Sequence, residues 1–183
     1  MGKTLIVGGT KGIGGEIAQL LENKECVLFS REAHSVNSNN HVHYQLDVAD
    51  GNFPDIEDIS SIVYCPGTIN LKPFRSLKVE DFQNDFDVNF LGAVKIIQYY
   101  QRALSKAENA SIILFSTVAV NQGMNFHASI ASAKGAVEGL SKSLAAEFAG
   151  KIRVNCIAPS LTDTPLAQGI LRNEDAIKRS NER

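Results

Sequence analysis

Residues 4–21, TLIVGGTKGIGGEIAQLL, decide the fold. A short apolar run, Leu5-Ile6-Val7, passes straight into glycines at 8, 9, 12, 14 and 15 and then into an amphipathic helical pattern. This is the sequence form of strand, tight turn and helix. Glycine lets a backbone turn with positive φ and approach a ligand with no Cβ in the way. A helix starting there aims its free N–H groups and the positive end of its dipole into the turn, which suits an anion. Five glycines in eight positions, between a buried-type strand and a helix, point to a nucleotide phosphate. Gly8, Gly12 and Gly14 read G-x-x-x-G-x-G. That is not the common G-x-G-x-x-G dinucleotide fingerprint, and with no Gly-Lys-Ser/Thr following it is not a P-loop.

Outward from this stretch, strand-like runs recur at Leu5–Val7, Cys26–Phe29, Val42–Leu46, Ile62–Cys65, Ile112–Phe115 and Ile152–Ile157. They are short and rich in Val, Ile and Leu, as strands covered on both faces should be. Between them, Phe86, Phe90, Val94, Ile97 and Leu104 recur at helical spacing, as do Val137, Leu140, Leu144 and Phe148. The alternation predicts a single α/β domain over residues 1–183, a doubly wound parallel sheet with helices on both faces. Ligands of such sheets bind beyond the carboxyl ends of the strands, where the strand order switches. Ser35–Asn40 is a polar connection. Between Val48 and Ser61 there are only a dozen residues, Gly51 and Pro54 among them, which predicts a single turn or a bare loop in place of a crossover helix.

At 44% apolar and 21% charged residues, the 183-residue chain supports one ordinary core. A formal net charge of −2 gives no electrostatic case for nucleic acid or a membrane surface. Apolar stretches such as Ile112–Phe115 fall far short of a bilayer span, and the glycine turn occupies the place that a signal peptide's apolar core would need. The expectation is a cytoplasmic protein with a small-molecule partner and neither nucleic acid nor membrane. Cys26, Cys65 and Cys156 are odd in number, far apart and set in apolar runs, which favours reduced buried thiols over a disulfide or a metal.

The glycine turn resembles that of the short-chain dehydrogenase/reductase family, and the chain carries further motifs of that family in order. The resemblance implies a Rossmann-type domain with Gly8, Thr10, Lys11, Gly12, Ile13 and Gly14 around the cofactor phosphates. After the second strand, Ser30-Arg31 presents a guanidinium where an NAD-preferring site places a carboxylate. With Lys11 it suits the 2′-phosphate of NADP through charge-assisted hydrogen bonds. Two solvated surface cations are the competing reading, and Glu32 keeps NAD open. Leu46-Asp47-Val48 matches the family's aspartate for the adenine amino group, although a lone Asp at a strand end is more often a turn residue. Tyr64-Cys65-Pro66-Gly67 keeps only the glycine of the family's Asn-Asn-Ala-Gly. The backbone path under the adenine ribose, along Cys65, Pro66 and Gly67, survives that change; the asparagine contacts do not. Asn89, in Asp87-Val88-Asn89-Phe90-Leu91-Gly92, matches the helix asparagine that holds a water beside the family's catalytic lysine.

The family's chemistry uses Tyr as general acid/base, Lys four residues later to lower the Tyr pKa and bind the nicotinamide ribose, and Ser thirteen residues before the Tyr to stabilise the developing charge. Counting back from Lys134 reaches Ile130 and then Thr117. Thr117 has the hydroxyl that the role needs; Ile130 has no proton to transfer. His127, three residues before Ile130, shares its face if the helix reaches that far, and its imidazole titrates near neutrality. A helix-start histidine with no role is the competing reading. Ser129 reads as a helix cap, and Tyr64, Tyr99 and Tyr100 lie on other elements.

Ile157-Ala158-Pro159-Ser160-Leu161-Thr162-Asp163-Thr164 resembles the family's Pro-Gly-x-x-x-Thr segment, with Ser160 replacing the glycine. The resemblance places Pro159, Ser160, Thr162 and Thr164 near the nicotinamide carboxamide or a phosphate, and makes residues 164–183 a mobile substrate lid. Family members continue for another strand and helix beyond Arg183, so those elements are absent from the expected fold. The resemblance further implies a homodimer or homotetramer paired through helices around 82–106 and 128–149. Two functions follow: an NADP(H)-dependent oxidoreductase of an alcohol/carbonyl pair with an atypical site, or an NADP(H)-binding protein that no longer catalyses and acts as sensor or partner subunit.

Overall fold

The computed structural model describes residues 2–33 and 38–170. Residues 35–37 of the polar connection and 171–183 of the expected lid lie outside the described residues. Six strands form one parallel sheet: β1 (Lys3–Val7), β2 (Cys26–Ser30), β3 (His41–Gln45), β4 (Ile59–Tyr64), β5 (Ala110–Phe115) and β6 (Ile152–Ile157), in the order β3-β2-β1-β4-β5-β6. The order reverses between β1 and β4, so the end of β1 opens at the switch point where ligands bind.

Helices cover both faces. On one face α1 (Gly12–Leu20) packs Ala18, Ile17 and Leu21 with Ile6, Leu28 and Val63. On the other, α3 (Gly92–Leu104) and α5 (Ala128–Glu147) bury Ile96, Ile97, Tyr100, Leu104 and Val137 against Leu5, Val7, Val27, Ile62 and Ile112. Two shorter helices, α2 (Val79–Phe86) and α4 (Ala119–Gln122), precede α3 and α5. Strands β1, β2 and β4 are covered on both faces as expected, but the outer strands are not: Val42 and Tyr44 of β3 and Ile157 of β6 are exposed. Only an inner strand is flanked on both sides, and a run of Val and Ile does not reveal its rank in the sheet.

The helical stripe read from Phe86 to Leu104 is broken by a π-helical turn at Asp87–Leu91. The extra residue rotates the face that follows, so Asn89, Ala93, Ile96, Ile97 and Tyr100 are buried while Phe90 and Val94 are only half-buried. The Tyr64 hydroxyl donates to the Val88 carbonyl within the widened turn at 2.6 Å. Single π turns inside helices are frequent at functional sites.

No helix joins β3 to β4. The bare strap is fastened instead by side chains of α3. Lys95 Nζ donates to the Ala49 carbonyl (2.6 Å) and the Tyr100 hydroxyl to the Pro54 carbonyl (2.7 Å). The Tyr99 hydroxyl lies 2.9 Å from the Phe53 carbonyl and 2.7 Å from the Asp55 carboxylate. The Phe53 ring stacks on Phe29 and meets Tyr99 edge-on. Backbone carbonyls that a helix would have satisfied internally are thus satisfied from outside.

Candidate functional site

The glycine turn needs its glycines for two separate reasons. Gly8 has φ +73 and Gly12 φ +54, values that side chains rarely adopt. Gly14 is needed for space: a Cβ there would overlap the Gly8 carbonyl oxygen and come within 2.9 Å of its carbon. Helix α1 can therefore start directly against the end of β1. Its N-cap, Lys11, makes no side-chain capping bond, and the first turn holds no acidic residue. The N–H groups of Gly12, Ile13 and Gly14 remain available to an anion.

From the turn a cavity of about 180 Å³ runs along the ends of β1, β2 and β3. Gly8, Thr10, Lys11, Ser30, Arg31, Asp47, Val48, Pro66 and Gly67 line it, with Glu32, Phe29, Leu46 and Val88, whereas Gly12, Ile13, Gly14 and Cys65 are not in its lining. The two expected cations are not both free. Lys11 is ion-paired with Glu32 through a short hydrogen bond, and Lys11 holds the Glu32 carboxyl below the ordinary carboxylate range. Both are solvent-exposed neighbours at the rim. Ser30 donates to the Glu32 carbonyl (2.8 Å) and bonds His43 Nε2 (2.8 Å), so β3 braces the corner through a histidine that the sequence did not single out. Asp47 accepts from the Ala49 N–H at 2.9 Å, the turn role of a strand-end Asp, with its residue still on the cavity wall.

At the other end of the cleft Lys134 and Asn89 converge on Gly67. A Cβ on Gly67 would stand 3.5 Å from Asn89 Oδ1 and 3.7 Å from Lys134 Nζ. Asn89 is fully buried, Lys134 is 8% exposed, and Ile130, one turn before Lys134 on α5, is buried. Burial lowers the Lys134 pKa to about 8, opposed by the neighbouring Cys156, Cys65 and Asp85. Burial pushes the Cys65 thiol up to about 12, with Lys134 pulling the other way. Cys65 also backs the glycine turn: its N–H donates to the Val7 carbonyl (3.0 Å) and its Cβ lies 3.5 Å from where a Gly8 Cβ would be. Thr117, half-buried after β5, accepts the Ala119 N–H at 3.3 Å and so keeps its own hydroxyl hydrogen to donate.

The segment after β6 crosses back to the turn. Pro159 accepts from the Val118 N–H (3.2 Å), the Thr162 hydroxyl donates to the Ser160 carbonyl (3.1 Å), and the Thr164 Cβ lies 3.6 Å from the position of a Gly12 Cβ. Two expectations at the start of α5 need correction. The helix begins at Ala128 with His127 as its N-cap residue, so the helical face does not extend to the histidine. His127 Nδ1 donates to the Asn125 carbonyl at 2.8 Å. Ser129 is not the cap; it lies inside the helix, fully buried, its Oγ without a hydrogen-bond partner among the described residues. Thr68 and Asp85 were missed altogether. The Thr68 hydroxyl donates to Asp85 Oδ1 at 2.5 Å, and Asn89 Nδ2 donates to Thr68 Oγ1 at 2.9 Å and to the Asp85 carbonyl at 2.7 Å.

The family model described as enoyl-(acyl carrier protein) reductase matches residues 7–183. The chain belongs to the short-chain dehydrogenase/reductase family. This short-chain dehydrogenase/reductase is 30% identical over 178 residues to xanthoxin dehydrogenase of Arabidopsis thaliana, covering 94% of this chain and 61% of that protein. It is 33% identical over 118 residues to a tropinone reductase homologue of the same plant, covering 64% of this chain and 45% of that one. The solved structure of ElxO with NADP bound superposes on it with a TM-score of 0.81 at 26% identity, covering 94% of this chain and 79% of that one. This member of the family thus spans only about half the length of the first curated relatives that it matches. No helix among its described residues is long and apolar enough to cross a membrane.

Proposed function

We propose that the protein binds NADP(H) and interconverts a small-molecule alcohol and carbonyl compound, in a site where Ile130 stands in place of the family's general acid. The observation that carries this reading is the cavity along β1–β3, which runs from the uncapped start of α1 to Gly67, with Lys134 and Asn89 beside that glycine. The residues fit the dinucleotide: the glycines leave room for phosphates, Ser30 and Arg31 would hold the ribose 2′ group, and Asp47 and Val48 would hold the adenine. The solved NADP complex of a protein 26% identical to this one supports the same choice. When bound, the nicotinamide supplies or accepts the hydride. The Thr117 hydroxyl donates to the substrate oxygen, and the Lys134 ammonium holds the nicotinamide ribose. The proton comes from His127 or from water beside Asn89. Pro159, Ser160, Thr162 and Thr164 close the carboxamide side, and two copies pair through α2–α3 and α5.

A second reading is carried by Ile130 itself: the cleft binds cofactor without catalysing, as a sensor or a partner subunit. Turnover of a panel of carbonyl compounds with NADPH separates the two, run on wild type, His127→Ala and Ile130→Tyr. The oxidoreductase reading expects wild-type turnover; turnover in Ile130→Tyr alone establishes the second reading. No binding of NADPH or NADH at millimolar concentration overturns both.

A further inference from the structure

The loops after β4, β5 and β6 leave the same end of the sheet, because the three strands are parallel neighbours. Backbone bonds tie them together: the Lys72 N–H donates to the Phe126 carbonyl at 3.3 Å, and the Val118 N–H to the Pro159 carbonyl at 3.2 Å. Residues 65–77, 116–127 and 158–170 hold three charged side chains, Lys72, Arg75 and Asp163, although 21% of the whole chain is charged. Lys72 is itself paired with Asp81 at 2.7 Å.

The same loops carry apolar side chains that the core does not take up. Among the described residues, the exposed large apolar side chains Ile69, Phe74, Phe126, Leu161 and Leu166 all stand there. The remaining ones are scattered over α1, α2, the π turn, α3, β3 and β6. Single exposed apolar residues need no explanation, whereas a group gathered beside a cleft marks a binding surface. Phe126 is held in place under strain, for its φ is +70, a value that a bulky side chain rarely adopts. Strain of this kind clusters at ligand clamps.

The group adjoins the reacting end of the cleft. Leu166 Cδ2 lies 4.0 Å from the position of a Gly67 Cβ, which Asn89 Oδ1 and Lys134 Nζ also approach. Phe126 directly precedes the α5 N-cap residue His127, on the loop that begins with Ser116 and Thr117. Continuity with that end makes the reacting molecule the occupant of the apolar surface.

We propose that the substrate is an uncharged ketone or aldehyde with an apolar alkyl or aryl arm, and that Phe126, Leu161 and Leu166 hold the arm. A carboxylate or a sugar hydroxyl set against these side chains would exchange water for carbon, at a cost. A methylene gains by the same exchange. The inference rests on reading the cleft as an oxidoreductase site, and it adds the class of substrate.

The test is a series of 2-alkanones from butan-2-one to octan-2-one, with 2-oxobutanoate and dihydroxyacetone as charged and hydroxylated counterparts. Binding to the full chain with oxidised NADP present is read by ligand-observed NMR, and kcat/KM is read from NADPH consumption. Affinity and kcat/KM are expected to rise about 2–4-fold per added methylene. Phe126→Ser and Leu166→Ser should each weaken octan-2-one by about 5-fold or more while moving butan-2-one by less than about 2-fold. Leu20→Ser, at an exposed position on α1, should leave the series unchanged. A flat series overturns the proposal, and a rim covered by a second copy or by another part of the chain would give one. Tighter binding of 2-oxobutanoate or dihydroxyacetone than of octan-2-one overturns it too, as does a rise that survives both rim variants. NADP binding with a flat series removes the substrate class and leaves the proposed function. A rising series with no turnover of any ketone removes the oxidoreductase reading and leaves an apolar ligand site.

Discussion

At the glycine-turn end of the cleft, Lys11 and Glu32 meet in solvent with 61% and 71% of their side chains exposed; at the other end Lys134 is only 8% exposed. The first pair is screened by water and contributes little to stability. Either member can change without disturbing the fold, which suits a contact that sorts one cofactor from another. Lys134 is desolvated, and keeping its ammonium charged costs the folded state. Such a group persists where its position matters more than its energy. The backbone shows the same contrast. On the proposed reading, the turn end retains the family's pattern in glycines, whereas the far end departs from it in side chains at Ile130 and Thr117.

The sharpest way to break this contrast is Ile130→Tyr, which puts a phenol one turn before Lys134. We expect carbonyl turnover to rise by about 10²–10⁴-fold, the range of a positioned general acid. A rate no higher than wild type, measured at saturating NADPH, means that α5 lacks more than its acid. Gly14→Ala tests the turn end. Its Cβ overlaps the Gly8 carbonyl, so a stability loss of about 2–3 kcal/mol from overpacking is expected in urea unfolding, together with loss of NADPH binding. Unchanged stability would show that α1 can slide away from β1.

Lys134→Met acts in opposite directions on stability and binding. The folded pKa is lowered to about 8 from 10.5, so below pH 8 the folded state carries a charge that burial disfavours. Between pH 8 and 10.5 it sheds that proton while the unfolded chain keeps it, and stability rises with pH. Removing the amine should therefore raise Tm by roughly 5 °C at pH 7, a gain that fades by about pH 10. NADPH affinity should fall by about tenfold or more with the charged bond to the ribose lost. A pH-independent Tm difference would place the charge elsewhere. The smallest effect is expected from Glu32→Gln. It frees Lys11, so NADPH should bind about 2–5-fold tighter at low salt, with the advantage shrinking as salt rises. Lys11 depresses the Glu32 pKa, so variant and wild type should converge only at a pH below the ordinary carboxylate range.

Much of this was legible in the sequence because parallel strands are short Val/Ile/Leu runs set between helical periods. β6 has the bounds that the sequence indicates, and β4 begins three residues early. The bare strap could be read from its length alone. Sheet rank could not, which is why β3 and β6 looked as buried as β1. The π turn has no local signature, since an inserted residue leaves every neighbour a plausible helix former. Asp85 was invisible for a related reason. In DFQNDFDVNF it looks like one more acid on a wet helix face, and only the packing of α2 against α5 puts it inside. Ile130 needed no structure at all: its meaning lay in its distance from Lys134.

The strap fastened by α3 has an optical consequence. The chain has no tryptophan and four tyrosines, Tyr44, Tyr64, Tyr99 and Tyr100. Tyr44 and Tyr100 both meet Phe29, which lines the cavity, and Tyr99 meets Phe53 on the strap. The Tyr64 hydroxyl sits beside Gly92, where Val48 from the cavity wall also comes close. Three of the four tyrosines thus ring the strap and the Phe29 ring beneath it, so the tyrosine emission of the unlabelled protein is a local gauge of that strap.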